Sequence, residues 1–163
     1  APGPTPIPKA FWNATPVKSL NNFAVSQMSS CSIAWTTNAE PVYAWIGWSG
    51  KKWVGRERLA YAGRQKGLWK TTVLDDPIPS GREIITVQLA LGREGTPHLA
   101  LQNPNTGALR YYSQNKAGQW HKTALGDGAA ITKTPALTLD PEGRPWILFQ
   151  DAKTGTLKLT HRQ

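Results

Sequence analysis

One cysteine, Cys31, stands in 163 residues. A single thiol can neither close an internal disulfide nor build a Cys-based zinc site. Histidine is scarce as well. His98, His121 and His161 lie far apart with no second ligand at short spacing, so neither a metal nor any other cofactor is expected. Carboxylates number only 10 against 19 Lys and Arg. The one adjacent pair, Asp75-Asp76, precedes Pro77, a turn-forming setting rather than paired acid/base work. There is no phosphate-cradling Gly loop, no Gly-x-Ser-x-Gly elbow, and no Ser or Thr with a base partner by spacing. No catalytic residue is therefore assigned, and the chain is read as a non-enzyme. No apolar run approaches the roughly 18 residues that a membrane-spanning helix needs.

What is present is a basic, aromatic chain. The net charge is +9, and eight Trp are scattered along it. The charge is dispersed and densest at Lys51-Lys52 and Arg56-Glu57-Arg58. Dispersed charge aids solubility; its functional reading is attraction to a glycan or another anionic surface, with nucleic acid ranked below these. Residues 1–9 place Pro at positions 2, 4, 6 and 8, which gives an extended arm. Position 1 is Ala rather than Met, as in a chain whose leader has been cut, so a secreted or periplasmic protein is expected. Asn13-Ala14-Thr15 matches a glycosylation sequon.

Residues 10–163 form one repeat domain. Thr86, Leu89, Leu91, Gly95 and Pro97 recur as Thr134, Leu137, Leu139, Gly143 and Pro145, each 48 positions later. The register continues through Gln102/Gln150, Thr106/Thr154, Gly107/Gly155 and Leu109/Leu157. A second signature, Trp-x-x-Thr-x-(Val/Leu), begins at Trp12, Trp69 and Trp120. The distance from each Trp to the next aligned Pro (Pro41, Pro97, Pro145) is 29, 28 and 25 residues, so Pro41 belongs to a third, diverged copy. Within a copy, Ile85, Val87, Leu89 and Leu91 alternate as a half-buried strand does. Turns at Glu94-Gly95, Asn103–Gly107 and Lys116–Gly118 then mark off three more strands. No helical apolar stripe appears, so the fold is all-β.

The strands distribute as one closing Trp strand (10–18), four in a first unit (28–74), four in a second (85–125) and three in a last (131–163). They total twelve, and the type missing at the end is the type present at the start. Gly95-Thr96-Pro97-His98-Leu99-Ala100-Leu101, Thr106-Gly107-Ala108-Leu109-Arg110-Tyr111 and Gly118-Gln119-Trp120 carry a resemblance to the blade repeat of bacterial β-propellers of the sialidase-like (BNR-like) group. Their partners Gly143–Phe149 and Thr154–Leu157 carry it too. Thr138–Trp146 looks like that group's Asp-box turn, with one residue too many between Asp140 and Gly143. The resemblance implies four-stranded blades and closure of the ring by a shared blade. Three blades cannot close a ring. The expectation is therefore a homo-oligomer, most simply a dimer forming six blades, similar in assembly to short-chain propeller lectins. A monomeric β-trefoil also has twelve strands in three repeats, and a fragment of a longer propeller would look the same.

Ligand contacts are sought where copies differ. Trp48 falls at the hairpin where its counterparts are polar, and Lys51, Lys52, Trp53 and Arg56 follow. Exposed Trp beside cations suits sugar stacking with charge recognition, so these five are the expected ligand-binding residues. Trp12, Trp69 and Trp120 recur and are expected in packing, and Trp35, aligned with Leu91 and Leu139, is expected to be buried. Tyr111-Tyr112 places one ring on each face of a strand, leaving one ring open to exposure. The function read from this is a lectin-like, carbohydrate-binding propeller. The alternatives are a protein-interaction or structural module, and a carbohydrate-active enzyme (glycosidase or lyase).

Overall fold

Alternating apolar residues build three antiparallel sheets in the computed structural model, which describes residues 28–47, 56–65, 67–74, 78–79, 84–103, 106–126, 134–151 and 154–162. The first sheet runs β1 (Met28–Trp35), β2 (Pro41–Gly47), β3 (Arg56–Gln65) and β4 (Leu68–Val73). A two-residue strand, β5 (Ile78–Pro79), pairs with the start of β3 and was not foreseen from the sequence. The second sheet runs β6 (Thr86–Leu91), β7 (Pro97–Asn103), β8 (Ala108–Gln114) and β9 (Trp120–Gly126). The third has β10 (Ala136–Leu139), β11 (Pro145–Gln150) and β12 (Leu157–His161). Apart from β5, every sheet is a meander, each strand pairing with its neighbour in sequence, and no helix occurs among the described residues. This is the four-stranded blade pattern, and the all-β expectation of three such repeats holds. No strand pairs the outer edge of β12 among the described residues. The closing strand expected at 10–18 lies outside them, as do the arm at 1–9 and the sequon.

The first turn of each blade is the same object. Gly92 N–H donates to Thr96 O and Gly95 N–H to Gly92 O; Asp140 N–H donates to Arg144 O and Gly143 N–H to Asp140 O. In the diverged copy Thr36 N–H donates to Glu40 O and Ala39 N–H to Thr36 O. The turn requires a left-handed residue, and Gly95 and Gly143 supply it at φ +73° and +83°. Ala39 occupies that position at φ +56°. A Cβ there costs about 1–2 kcal/mol, partly offset because Gly is freer when unfolded. Ala39→Gly is accordingly expected to gain about 0.5–1 kcal/mol, raising the thermal midpoint by about 2 °C in a scanning calorimeter.

The sheets stack face to face through their inner strands, β1 beside β6 and β6 beside β10. Val87 N–H and Leu89 N–H donate to the hydroxyls of Ser30 and Ser32 at 3.2 and 3.1 Å, pinning β6 to β1. The first joint buries Val42, Ala44, Ile46 and Leu59 against Val87, Leu99, Leu101 and Tyr112. Trp120 of β9 meets Tyr61 of β3 edge to face at 5.2 Å. The second joint packs Ala100, Leu109 and Tyr111 against Ile147, Leu137 and Phe149. Burying a side chain of this size is worth about 1.5–3 kcal/mol, so the two joints carry the fold.

Two burial expectations fail. Trp35 is 63% exposed, although Trp45, Ala60 and Ala62 on the same face of the first sheet are buried. Tyr111 and Tyr112 are both buried, at 4% and 1%, because the middle blade has a neighbour on each side and no wet face. The recurrent Trp residues do serve packing where described: Trp120 sits in the first joint, and Trp69 packs on Tyr43 at 5.2 Å beneath the Arg64 guanidinium.

Candidate functional site

Stacked twisted sheets leave a crevice where their ends splay apart. Between the second and third blades it reaches about 730 Å³, at the end that carries the first and third turns of the blades. A contiguous hollow of about 600 Å³ continues along β9 and β12, sharing Tyr111, Ser113, His121, Pro145 and Arg162. The β6–β7 turn contributes Arg93 and Glu94, β7 His98, β8 Tyr111 and Ser113, and the β10–β11 turn Glu142 and Arg144. Arg162 closes it from the end of β12, its N–H donating to Pro145 O.

The floor is a partly buried polar pair. His98 Nδ1 and the Tyr111 hydroxyl share a hydrogen bond of 2.5 Å. Burial pushes the His98 imidazole below its usual range, and the Arg162 charge pushes it further. Burial raises Tyr111, with Ser113 and Arg162 pulling partly the other way. Both groups are therefore neutral at neutral pH. Gly92 lets the turn close over them: a Cβ there would lie 2.5 Å from Thr96 Oγ1 and 3.4 Å from His98 Nε2.

The walls are charged. Glu94 is engaged by Lys116 at 2.8 Å and Glu142 by Arg144 at 3.0 Å. Arg93 and Arg162 face the crevice with no carboxylate partner among the described residues. Beside it, Asp140 is committed to structure. It accepts from Glu142 N–H, Arg144 N–H, Arg144 Nε and the Trp146 indole at 3.0, 2.8, 2.6 and 3.1 Å. Partial desolvation pushes its carboxyl up, but the hydrogen bonds from Trp146 and Arg144 and the Arg144 charge outweigh it and hold the group at about 2. The Asp-box-like stretch is thus a structural turn, with Asp140 ionised at any ordinary pH. Among the described residues no cluster of His, Cys and carboxylates is arranged to hold a metal.

The residues expected to bind ligand are not placed here. Trp48, Lys51, Lys52 and Trp53 lie outside the described residues, as does Asp75-Asp76. Arg56 opens β3, its backbone opposite Pro79. The crevice residues were missed because they come from two sheets and share no linear spacing. A partial signal was available in the repeat itself: His98, Tyr111 and Ser113 align with Trp146, Leu159 and His161, so these three crevice positions differ between the two copies.

No family profile matches the chain, and no curated protein does. Among solved structures it is similar to an α-L-arabinanase of Penicillium chrysogenum complexed with arabinobiose, at 13% identity and TM-score 0.50. It is also similar to a variant α-L-arabinofuranosidase of Fusarium graminearum in complex with an iminosugar inhibitor, at 12% identity and TM-score 0.46. Each match covers 86% of this chain and 46% of the other, so the chain spans under half the length of the structures it matches. Neither neighbour singles out the sialidase-like group. What the likeness carries is architecture: the three stacked meanders are blades of a β-propeller.

Proposed function

We propose that the protein binds carbohydrate without cleaving it, and that the crevice between the second and third blades receives a carboxylated oligosaccharide. The observation that carries this reading is the pair of guanidinium groups, Arg93 and Arg162, at the rim of an open, polar crevice, with no carboxylate partner among the described residues. A guanidinium fork matches a carboxylate in shape and charge. His121, Asn115 and Gln114 also line the crevice, where Asn115 and Gln114 hold the third turn in place. The arabinanase neighbour was solved with a disaccharide bound, but only its fold bears on this chain. Against hydrolysis, Asp140 is too acidic to donate a proton near neutrality, and Glu94 and Glu142 are exposed and ion-paired.

The test is calorimetric titration with neutral and carboxylated oligosaccharides, followed by an assay for new reducing ends. Binding of the carboxylated set, weakened by salt and without new reducing ends, is expected. No binding to any of them overturns the proposal. Release of reducing ends replaces it with a glycosidase.

A further inference from the structure

We infer that the first turns of the three blades enclose a second sugar subsite with Trp35 as its stacking platform, so that an oligosaccharide held in the crevice extends over the β6–β7 turn onto the Trp35 indole. The inference rests on the carbohydrate reading of the crevice and adds a length requirement to it. β1, β6 and β10 end at Trp35, Leu91 and Leu139, one position of the repeat in its three copies. The turns that follow converge on a hollow of about 310 Å³, lined by these three residues and by Thr37, Arg93 and Gly143. All three turns lie among the described residues, so the hollow is complete without any neighbour on the first blade's outer face.

Gly92, Arg93 and Gly143 line both this hollow and the crevice. The two therefore adjoin at the β6–β7 turn, and one guanidinium, Arg93, serves both. The chemistry of the hollow suits a sugar ring. Trp35 stands where the other copies have Leu, and it is exposed while Trp45, Ala60 and Ala62 on the same sheet face are buried. Packing accounts for a Leu at this position and not for a wet indole. An indole face takes the C–H face of a pyranose, while its rim needs donors and acceptors for the hydroxyls. Thr37 brings a hydroxyl and Arg93 brings N–H donors. Asp140 also lines the hollow, but its carboxylate is only 13% exposed and is spent on Arg144 and the Trp146 indole, so it does not oppose an acidic chain. Ligand pockets run from about 300 to 1,000 Å³, which places this hollow at the size of a single sugar unit.

Calorimetric titration with digalacturonate and pentagalacturonate, on the parent, Trp35→Ala and Trp35→Phe, tests this. In the parent the pentamer should bind about threefold to tenfold more tightly than the dimer, the gain from one stacked ring. Trp35→Ala should remove that gain and leave the dimer affinity as in the parent, and Trp35→Phe, which keeps an aromatic face, should retain most of it. The parent's indole emission should shift further with the pentamer than with the dimer, and the extra shift should vanish in Trp35→Ala. Trp35 is exposed, so both variants should melt as the parent does. Unchanged pentamer affinity in Trp35→Ala overturns the subsite, and so does an equal loss for both lengths, which a merely structural Trp35 would give. Parent emission that does not distinguish the two lengths overturns it without recourse to any variant. Each of these results leaves the crevice reading standing. A parent that binds neither length overturns both.

Discussion

Leu109→Ala is expected to cost the fold about 3 kcal/mol, and Leu157→Ala less than about 0.5 kcal/mol. The two leucines occupy one position of the repeat, 48 residues apart, on the third strand of successive blades. Their chemistry and backbone setting are the same. Only the neighbour differs. Leu109 is 1% exposed and sits among Ala100, Tyr111, Ile147, Leu137 and Phe149, so its removal leaves a cavity that two rigid sheets cannot collapse to fill. Leu157 is 72% exposed, and its removal leaves no cavity within the chain. Urea unfolding of the two variants reads the difference. Equal costs would mean that the third blade's outer face is covered within a single chain.

The same contrast shows what the sequence makes legible. Spacing between Thr86/Thr134, Leu89/Leu137 and Pro97/Pro145 reports backbone equivalence, so the meanders and their shared first turn could be read from it. Burial is not a property of the repeat unit alone. It depends on what stands on either side, and that is why Leu157 is exposed while its counterpart Leu109 packs into the second joint. The alternation rule misled at Tyr111-Tyr112 on similar grounds: it assumes that one face of a sheet meets water, and a middle blade has no such face. The crevice was harder still. Arg93, His98, Tyr111 and Arg162 meet only after two blades stack, and a stacking angle leaves no mark in residue spacing. A copy-to-copy comparison would have pointed there, since function is free to diverge at positions that packing does not fix. The Trp48 hairpin was chosen on that same ground, and at His98, Tyr111 and Ser113 the comparison leads instead to the second joint.

Arg162→Ala is expected to weaken binding of an oligogalacturonate by about tenfold to a hundredfold, and to raise the titration midpoint of His98. The first effect follows from the loss of a charged hydrogen bond to a carboxylate, worth about 1.5–3 kcal/mol, at 1.4 kcal/mol per tenfold. The second follows from the geometry of the floor. Burial is the larger cause that holds His98 below its usual range, and the Arg162 charge is the other. Removing that charge lifts only part of the depression. NMR titration of the His98 ring follows it directly. The sign for stability is fixed by linkage. A histidine whose folded-state affinity for protons is lowered binds fewer protons than the unfolded chain does, so stability falls as pH drops below about 6.5. In Arg162→Ala that fall should be shallower. A structural role for Arg162 would lower stability at every pH and leave the His98 midpoint where it was. Lys116→Ala provides the contrast on the ligand side. Its ammonium is already paired with Glu94 and is 80% exposed, so oligogalacturonate affinity should change less than about threefold. If Lys116→Ala and Arg162→Ala weaken binding equally, the attraction is diffuse charge over the whole basic surface, and the Arg93 and Arg162 guanidinium groups are not what selects the ligand.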